Sequence, residues 1–254
     1  MEKLIHYCWF GSKEIPESDK KCIESWNKYL PDYKIMLWNE KSFNIDAHPF
    51  AKQAYEAKKY AFVSDYVRVY ALYMYGGIYF DTDYLLIKDI NPIIETGAIL
   101  GCENSHFVGT AIMIAEKGNW LMKQMIDYYD SVDFQMQNGD INAIPNTMIL
   151  TDILENKGFV RGKSWRCDGV KVYERSVFFP KKLEENKFDI RDETVGIHYF
   201  NGSWWSEKER KRSNSKIYNK LVRPLLRGGK KFLRAIIGKS YARNIENIVK
   251  NRMR

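Results

Sequence analysis

The stretch "YGGIYFDTDYLLI", residues 75–87, decides the fold class of this 254-residue chain. Two glycines open it, apolar residues surround it, and Asp81 and Asp83 lie in its middle with only Thr82 between them. The apolar residues predict a buried strand over residues 78–87. Side chains two apart in a strand point to the same side, so both carboxylates would face one point.

Two carboxylates that face one point repel each other, and burying them unpaired is costly. A divalent cation resolves the conflict, because Mg²⁺ and Mn²⁺ accept hard oxygen ligands and keep positions open for phosphate oxygens. The alternative is a solvated turn without chemistry, since D-x-D alone is a short motif. The apolar residues on both sides favour the metal interpretation.

Strands and helices are predicted to alternate along the chain. Apolar runs predict strands at 3–10 and 33–39, and a long helix is predicted from 49 to 75, ending at Gly76 and Gly77. Ser18 is predicted to cap an earlier helix. Further strands are predicted at 98–104, 110–116, 176–180 and 196–200, and further helices at 119–132 and 146–156. This order predicts an α/β domain around a mainly parallel sheet.

The composition is that of a globular protein with a substantial core, at 45% hydrophobic and 15% aromatic residues. No apolar run is long enough to cross a bilayer, and the start "MEKLIHYCWFG" lacks the features of a secretion signal. We therefore expect a cytoplasmic protein. The four cysteines are scattered without a C-x-x-C pair, which predicts buried free thiols.

The net charge of +8 is unevenly distributed. Residues 207–254 contain 16 Lys/Arg and 3 Asp/Glu, which leaves 24 Lys/Arg and 29 Asp/Glu in residues 1–206. We expect a mildly acidic domain, 1–206, and a basic amphipathic helical tail, 207–254, that lies on an anionic membrane surface. The alternatives are a helix packed on the domain and nucleic-acid binding, which the acidic domain disfavours.

The segment "AFVSDYVRVYALYMYGGIYFDTD", residues 61–83, resembles the signature of glycosyltransferase family 32, the DXD-containing sugar-transfer type. The shared pattern is Ser-Asp, an Arg three residues after that Asp, an apolar helix, Tyr-Gly-Gly-Ile-Tyr and Asp-x-Asp. The segments "IHYCWFG", "SWNKYLPDYKIMLWNE" and "HYFNGSW" are also similar in order and spacing. The resemblance covers residues 3–205, and it extends to clostridial-toxin glycosyltransferase domains.

This resemblance implies a GT-A fold, in which a Rossmann-like sheet binds a nucleotide-sugar and a divalent metal, Mn²⁺ or Mg²⁺. It also implies retaining transfer of a hexose, with a UDP-sugar favoured as donor. Short members of the family assemble bacterial capsules or other surface polysaccharides. The implied acceptor is therefore a saccharide or lipid-linked saccharide at the inner face of the cell membrane, and no nucleic-acid partner is expected.

The metal ligands implied by the resemblance are Asp83, directly, and Asp81, through water or while holding the ribose. His198 is a further candidate ligand, although such a histidine is alternatively structural. Asp65 and Arg68 share a helix face at a spacing of three. The resemblance implies that Asp65 binds sugar hydroxyls and Arg68 the sugar or diphosphate, whereas the alternative is a surface ion pair.

The remaining donor contacts implied are Trp9, stacking on the nucleobase unless it is core, and Ser203 and Trp204 in a segment that closes over the diphosphate. Glu103 and Asn104 are expected near the acceptor. No residue stands out as a base, so front-face attack is expected, with the leaving phosphate taking the acceptor's proton.

Two rival functions use the same features. One is a haloacid-dehalogenase-like phosphotransferase with D-x-D-x-[TV], which Leu85 at the Thr/Val place and the position of Asp81 far from the N-terminus disfavour. The other is a membrane-binding module without activity, which the intact pair of aspartates disfavours.

Overall fold

The computed structural model describes residues 1–136, 141–182 and 187–201. The helices are α1 (Glu17–Tyr29), α2 (Pro49–Glu56), α3 (Tyr60–Tyr75), α4 (Trp120–Asp130), α5 (Asn146–Glu155) and α6 (Arg175–Phe178). The strands are β1 (Leu4–Cys8), β2 (Lys34–Trp38), β3 (Gly77–Phe80), β4 (Tyr84–Leu86), β5 (Ala98–Gly101), β6 (Ile112–Ala115), β7 (Trp165–Cys167), β8 (Val170–Tyr173), β9 (Lys181–Lys182), β10 (Lys187–Phe188) and β11 (Gly196–His198). Residues 202–206 and the predicted tail, 207–254, lie outside the described residues, so the tail stays a prediction.

Seven strands form a central sheet in the order β2-β1-β3-β6-β5-β8-β7. Five of them run in one direction, while β6 and β7 run in the other. The predicted α/β fold with a mainly parallel sheet is confirmed. The carboxyl ends of β1, β3 and β5 therefore meet at one edge of the sheet, which is where ligands bind in folds of this kind.

Both faces of the sheet are covered, and β3 shows why its sequence is apolar throughout. Ile78 and Phe80 belong to the core on one face, with Trp26 of α1. Tyr79 belongs to the core on the other face, with Val67 of α3. A strand buried on both faces carries apolar side chains at successive positions rather than at alternate ones.

The single strand predicted over residues 78–87 is wrong. Strand β3 ends before Asp81, a turn of residues 81–83 follows, and β4 pairs antiparallel with β11 in a separate two-stranded sheet. Gly77, at the start of β3, has φ 108°, and a Cβ there would lie 2.5 Å from the Leu4 carbonyl oxygen. Glycine is therefore required where α3 turns back into the sheet.

Other predicted elements also differ. The helix predicted over residues 49–75 is two helices, because the connecting residue Lys58 adopts φ 56° and ends the first. Pro16, not Ser18, occupies the N-cap of α1. Residues 175–178 form α6 instead of a strand, and β7 and β8 were not predicted.

All four cysteines are free, as predicted, although Cys167 is partly exposed. Among the described helices, none combines the length and apolar character that crossing a bilayer requires.

Candidate functional site

The turn formed by residues 81–83 follows the carboxyl end of β3. The Asp81 amide donates to the Ala111 carbonyl at 2.8 Å, and the Tyr84 amide donates to the Asp81 carbonyl at 2.9 Å, which closes the turn. The Asp83 side chain is 12% exposed, whereas the Asp81 side chain is 27% exposed. The turn, and not the alternation of a strand, brings the two carboxylates together.

His198 lies beside these carboxylates because β11 pairs with β4, which places His198 opposite Tyr84. Its Nε2 atom is 3.1 Å from Asp83 Oδ1. Asp81, Asp83 and His198 each offer one ligand atom, and these three atoms lie within 4.8 Å of one another. We call these three residues the metal cluster, because two carboxylates and one imidazole fit a divalent ion such as Mn²⁺.

Asp83 and His198 stabilise each other's charged forms. Burial raises the pKa of Asp83, but the charge and hydrogen bond of His198 and the backbone hydrogen bonds to the carboxylate together lower it overall. Burial lowers the pKa of His198, but the charge and hydrogen bond of Asp83 and the charges of Asp81 and Glu103 together raise it overall. The Asn201 amide also donates to Asp83 Oδ2 at 2.7 Å. The buried contact between Asp83 and His198 is therefore an ion pair whenever the imidazole is protonated.

Arg68 connects the metal cluster to α3. Its Nη1 atom lies 3.2 Å from Asp81 Oδ1 and its Nη2 atom 3.0 Å from Asp65 Oδ1. The guanidinium also donates to the Thr110 carbonyl at 2.8 Å and lies over the Tyr79 ring at 4.7 Å. Since Arg68 is only 5% exposed, the alternative of a surface ion pair is wrong.

Asp65 is held by a second residue that sequence analysis missed. Asn146, the first residue of α5, donates from Nδ2 to Asp65 Oδ1 at 2.6 Å and accepts a hydrogen bond from Thr110 Oγ1 at 2.9 Å. Burial raises the pKa of Asp65 to about 7, although the charge of Arg68 opposes this. An asparagine at a helix start is common, so its sequence carries no signal for this role.

The other predicted residues lie around the same sheet edge. Trp9 follows β1, is partly buried, and donates its indole N–H to the Lys13 carbonyl at 2.6 Å. Glu103 follows β5. Burial raises the pKa of Glu103; the charge of His198 opposes this rise, and the charge of Asp81 adds to it. Glu103 therefore interacts electrostatically with two members of the metal cluster, His198 and Asp81.

Asn104 closes the loop after β5 by accepting hydrogen bonds from the His106 and Phe107 amides, at 2.8 and 3.1 Å. Its Nδ2 donates to Glu103 at 3.2 Å. Asn104 therefore shapes the loop and orients Glu103. Ser203 and Trp204 lie outside the described residues, and their role stays a prediction.

Two charged residues near the metal cluster were not identified from the sequence. Lys181 donates to the Tyr199 carbonyl at 2.6 Å; burial lowers its pKa while Asp83 opposes this. Asp19 of α1 accepts a hydrogen bond from Thr82 Oγ1 at 2.8 Å. Neither residue stands in a motif, so only the tertiary contacts reveal them.

Residues 16–99 match the family described as "Glycosyltransferase sugar-binding region containing DXD motif". The matched segment contains Asp65, Arg68, Asp81 and Asp83. The resemblance predicted from the sequence is therefore confirmed over this segment, which covers the D-x-D turn and the helix before it.

Curated relatives carry glycosyltransferase names. The chain is 30% identical over 132 residues to inositol phosphoceramide mannosyltransferase 3 of Schizosaccharomyces pombe, which covers 49% of this chain and 36% of the relative. It is 24% identical over 136 residues to human lactosylceramide 4-alpha-galactosyltransferase, and this match covers 51% of this chain and 35% of the relative. The chain thus spans about a third of the length of these relatives.

The solved structure titled "PaToxG Glycosyltransferase" shares the fold, with a TM-score of 0.50 and 20% identity over 61% of this chain and 68% of that one. The predicted GT-A type architecture is confirmed by this likeness.

Proposed function

We propose that this chain is a metal-dependent retaining glycosyltransferase that moves a hexose from a nucleotide-sugar, preferably a UDP-sugar, to a saccharide acceptor. The observation that carries the proposal is the convergence of Asp81, Asp83 and His198 within 4.8 Å of one another. They converge beside the Arg68–Asp65 pair, at the sheet edge where ligands bind in α/β folds.

The metal cluster supports the choice of a divalent cation, Mn²⁺ or Mg²⁺, because its donors are two hard carboxylates and one borderline nitrogen. A bound cation supplies charge neutralisation for the departing diphosphate. Asp83 is the direct ligand in this proposal, and Asp81 binds directly, through water or while holding the ribose. His198 would hold the ion as the neutral imidazole, so protonation of His198 would compete with the ion.

Arg68 and Asp65 bind the donor sugar. Within the described residues, both polar contacts of Asp65 use Oδ1, from Arg68 and Asn146. Oδ2 is then the atom that accepts a donor hydroxyl. Arg68 holds Asp65 and Asp81 at fixed positions, so the sugar and the diphosphate end of the donor are oriented by one guanidinium.

The proton of the acceptor hydroxyl goes to the leaving phosphate during front-face attack. Glu103, which interacts electrostatically with the metal cluster, orients the acceptor, and Asn104 orients Glu103. Trp9 stacks on the nucleobase, and Ser203 and Trp204 close over the diphosphate and exclude water from the hydrolysis-prone donor.

The proposed acceptor is a lipid-linked saccharide of a bacterial capsule or surface polysaccharide. The names of the relatives support a lipid-linked acceptor class, because these names specify inositol phosphoceramide and lactosylceramide. In this proposal residues 1–206 form the catalytic domain, and the basic tail, 207–254, holds the enzyme at the cytoplasmic face of the membrane. Truncation after residue 206 should release the protein from anionic vesicles. If the tail instead packs on the domain, its removal should destabilise the domain.

The first test measures nucleoside diphosphate release from a panel of UDP- and GDP-sugars with Mn²⁺ or EDTA. We expect metal-dependent release from one donor in the wild type and none in Asp83→Asn. Asp32→Asn is the matched control, because its side chain is 75% exposed in a surface ion pair with Lys3. Full activity of Asp83→Asn would contradict the assigned site. A wild type without metal-dependent donor binding would favour a module without activity.

A further inference from the structure

Asp19, in the first turn of α1, is a carboxylate in the core, at 1% exposure. Its Oδ1 accepts hydrogen bonds from Ser18 Oγ at 2.9 Å and from Asn201 Nδ2 at 3.3 Å. Its Oδ2 accepts a hydrogen bond from Thr82 Oγ1 at 2.8 Å. The carboxylate therefore joins α1 to two segments that are distant from it in sequence.

Placing a charge here is costly, because burial removes it from water and all three donors are neutral. Across residues 1–136, 141–182 and 187–201, no Lys, Arg or His forms an ion pair with Asp19. The first turn of α1 favours a negative charge, but only modestly. Replacing a buried ionic group by a well-packed apolar side chain is often neutral or stabilising. We therefore look for the role of Asp19 in the two segments to which it is hydrogen-bonded.

Both segments held by Asp19 carry parts of the metal cluster. Thr82 is the middle residue of the turn between Asp81 and Asp83. Asn201 follows the strand that carries His198, and its backbone amide donates to Asp83 Oδ2 at 2.7 Å. Asp19 is thus linked to Asp83 in two ways, through Thr82, which precedes Asp83 in the chain, and through Asn201, which is hydrogen-bonded to Asp83.

The charge of Asp19 is also close to the cluster. The pKa of the Cys22 thiol is raised to about 12, mainly by burial and in addition by the charges of Asp19 and Asp83. One thiol therefore interacts with both carboxylates, which adds a third negative charge to the surroundings of the metal cluster.

We propose that Asp19 is a positioning residue for the bound divalent cation, acting through Thr82 and Asn201 to hold the ligands of the metal cluster together. This inference rests on the proposed function, since it assumes that the cluster binds a cation. Residues that hydrogen-bond to metal-ligating groups typically change metal affinity about 10–100-fold when substituted. Asp19 does not contact a metal-ligating group itself. It holds Thr82, the residue between the two ligands Asp81 and Asp83, and Asn201, whose amide donates to Asp83.

The test measures the Kd for Mn²⁺ alone by electron paramagnetic resonance, together with urea unfolding in EDTA, on the full chain. Asp19→Asn keeps the size of the side chain and removes its charge, and Thr82→Val removes only the hydroxyl. We expect about 10-fold or more weaker Mn²⁺ binding in Asp19→Asn. Thr82→Val should bind more weakly than the wild type, and the double variant no more weakly than Asp19→Asn. Asp32→Asn should bind as the wild type does.

An unchanged Kd in Asp19→Asn, with or without lower stability in EDTA, would overturn the inference and leave a structural role. Should Asp19→Asn not fold, Thr82→Val decides, and an unchanged Kd there overturns the inference. Both outcomes leave the proposed function standing, because the wild type still binds Mn²⁺. A wild type that binds no Mn²⁺ overturns the metal site and this inference with it.

Discussion

Replacing Arg68 by Met tests how much the Arg68 cation stabilises the fold by pairing with Asp65 and Asp81. Met fills a similar volume but removes the cation that lies 3.0 Å from Asp65 and 3.2 Å from Asp81. It also removes the donor to the Thr110 carbonyl. Two carboxylates, 14% and 27% exposed, are then left without their cation.

The magnitude follows from burial. Removing one partner of a buried ion pair costs about 3–5 kcal/mol. Since both carboxylates retain some contact with water, we expect the lower end, about 3 kcal/mol, for the loss in the free energy of unfolding. For a chain of this length that loss lowers Tm by about 6–12 °C.

Arg166→Met is the matched control, because Arg166 contacts Glu95 at 2.6 Å with its side chain 61% exposed. An exposed pair of this kind contributes about 0–1 kcal/mol. Urea unfolding of both variants in EDTA at 25 °C gives the two losses directly. A loss in Arg68→Met below about 1 kcal/mol, or equal to that in the control, would refute the reasoning.

The loss in Arg68→Met also depends on pH with a defined sign. The pKa of Asp65 is about 7 even beside Arg68, because burial raises it above its value in the unfolded chain. A folded state with a raised carboxyl pKa loses stability as pH rises toward that pKa. Without the guanidinium the pKa rises further, so the variant should lose more relative to the wild type at pH 8 than at pH 5. An equal loss at both pH values would contradict this coupling.

Three further predictions concern other parts of the molecule. Gly77→Ala should destabilise the protein more than Gly118→Ala, because both have positive φ but only Gly77 would bring a Cβ within 2.5 Å of backbone; equal losses in urea unfolding would contradict this. Mn²⁺ affinity should fall as pH drops through the raised pKa of His198, since the proton competes with the ion. His198→Asn should bind Mn²⁺ more weakly with a smaller pH dependence, and an unchanged dependence would exclude His198 as ligand. Trp9→Ala should weaken UDP binding by about 1–3 kcal/mol, as loss of base stacking does, without changing the Kd for Mn²⁺; unchanged UDP binding in calorimetry would place Trp9 outside the donor site.

Much of the fold was predictable because its signals are local. Apolar runs over three or four residues mark strands that are buried on both faces, as in β3, β5 and β6. Gly76 and Gly77 mark the end of α3, where φ is positive at both positions. The breaks at residues 57–59 and 81–83 were missed, since the residues around them continue the helical or apolar pattern.

The sequence by itself determined the buried strands β3, β5 and β6, the helical character of the segment that carries Asp65 and Arg68, and the presence of two neighbouring carboxylates, because each depends on residues within a few positions of one another. Only the tertiary structure decided that these carboxylates lie in a turn beside His198. It also decided that Asn146 and Asp19 hold the site. These contacts join segments far apart in the chain, and their geometry is set by strand pairing and packing, for which a single sequence carries no local signal.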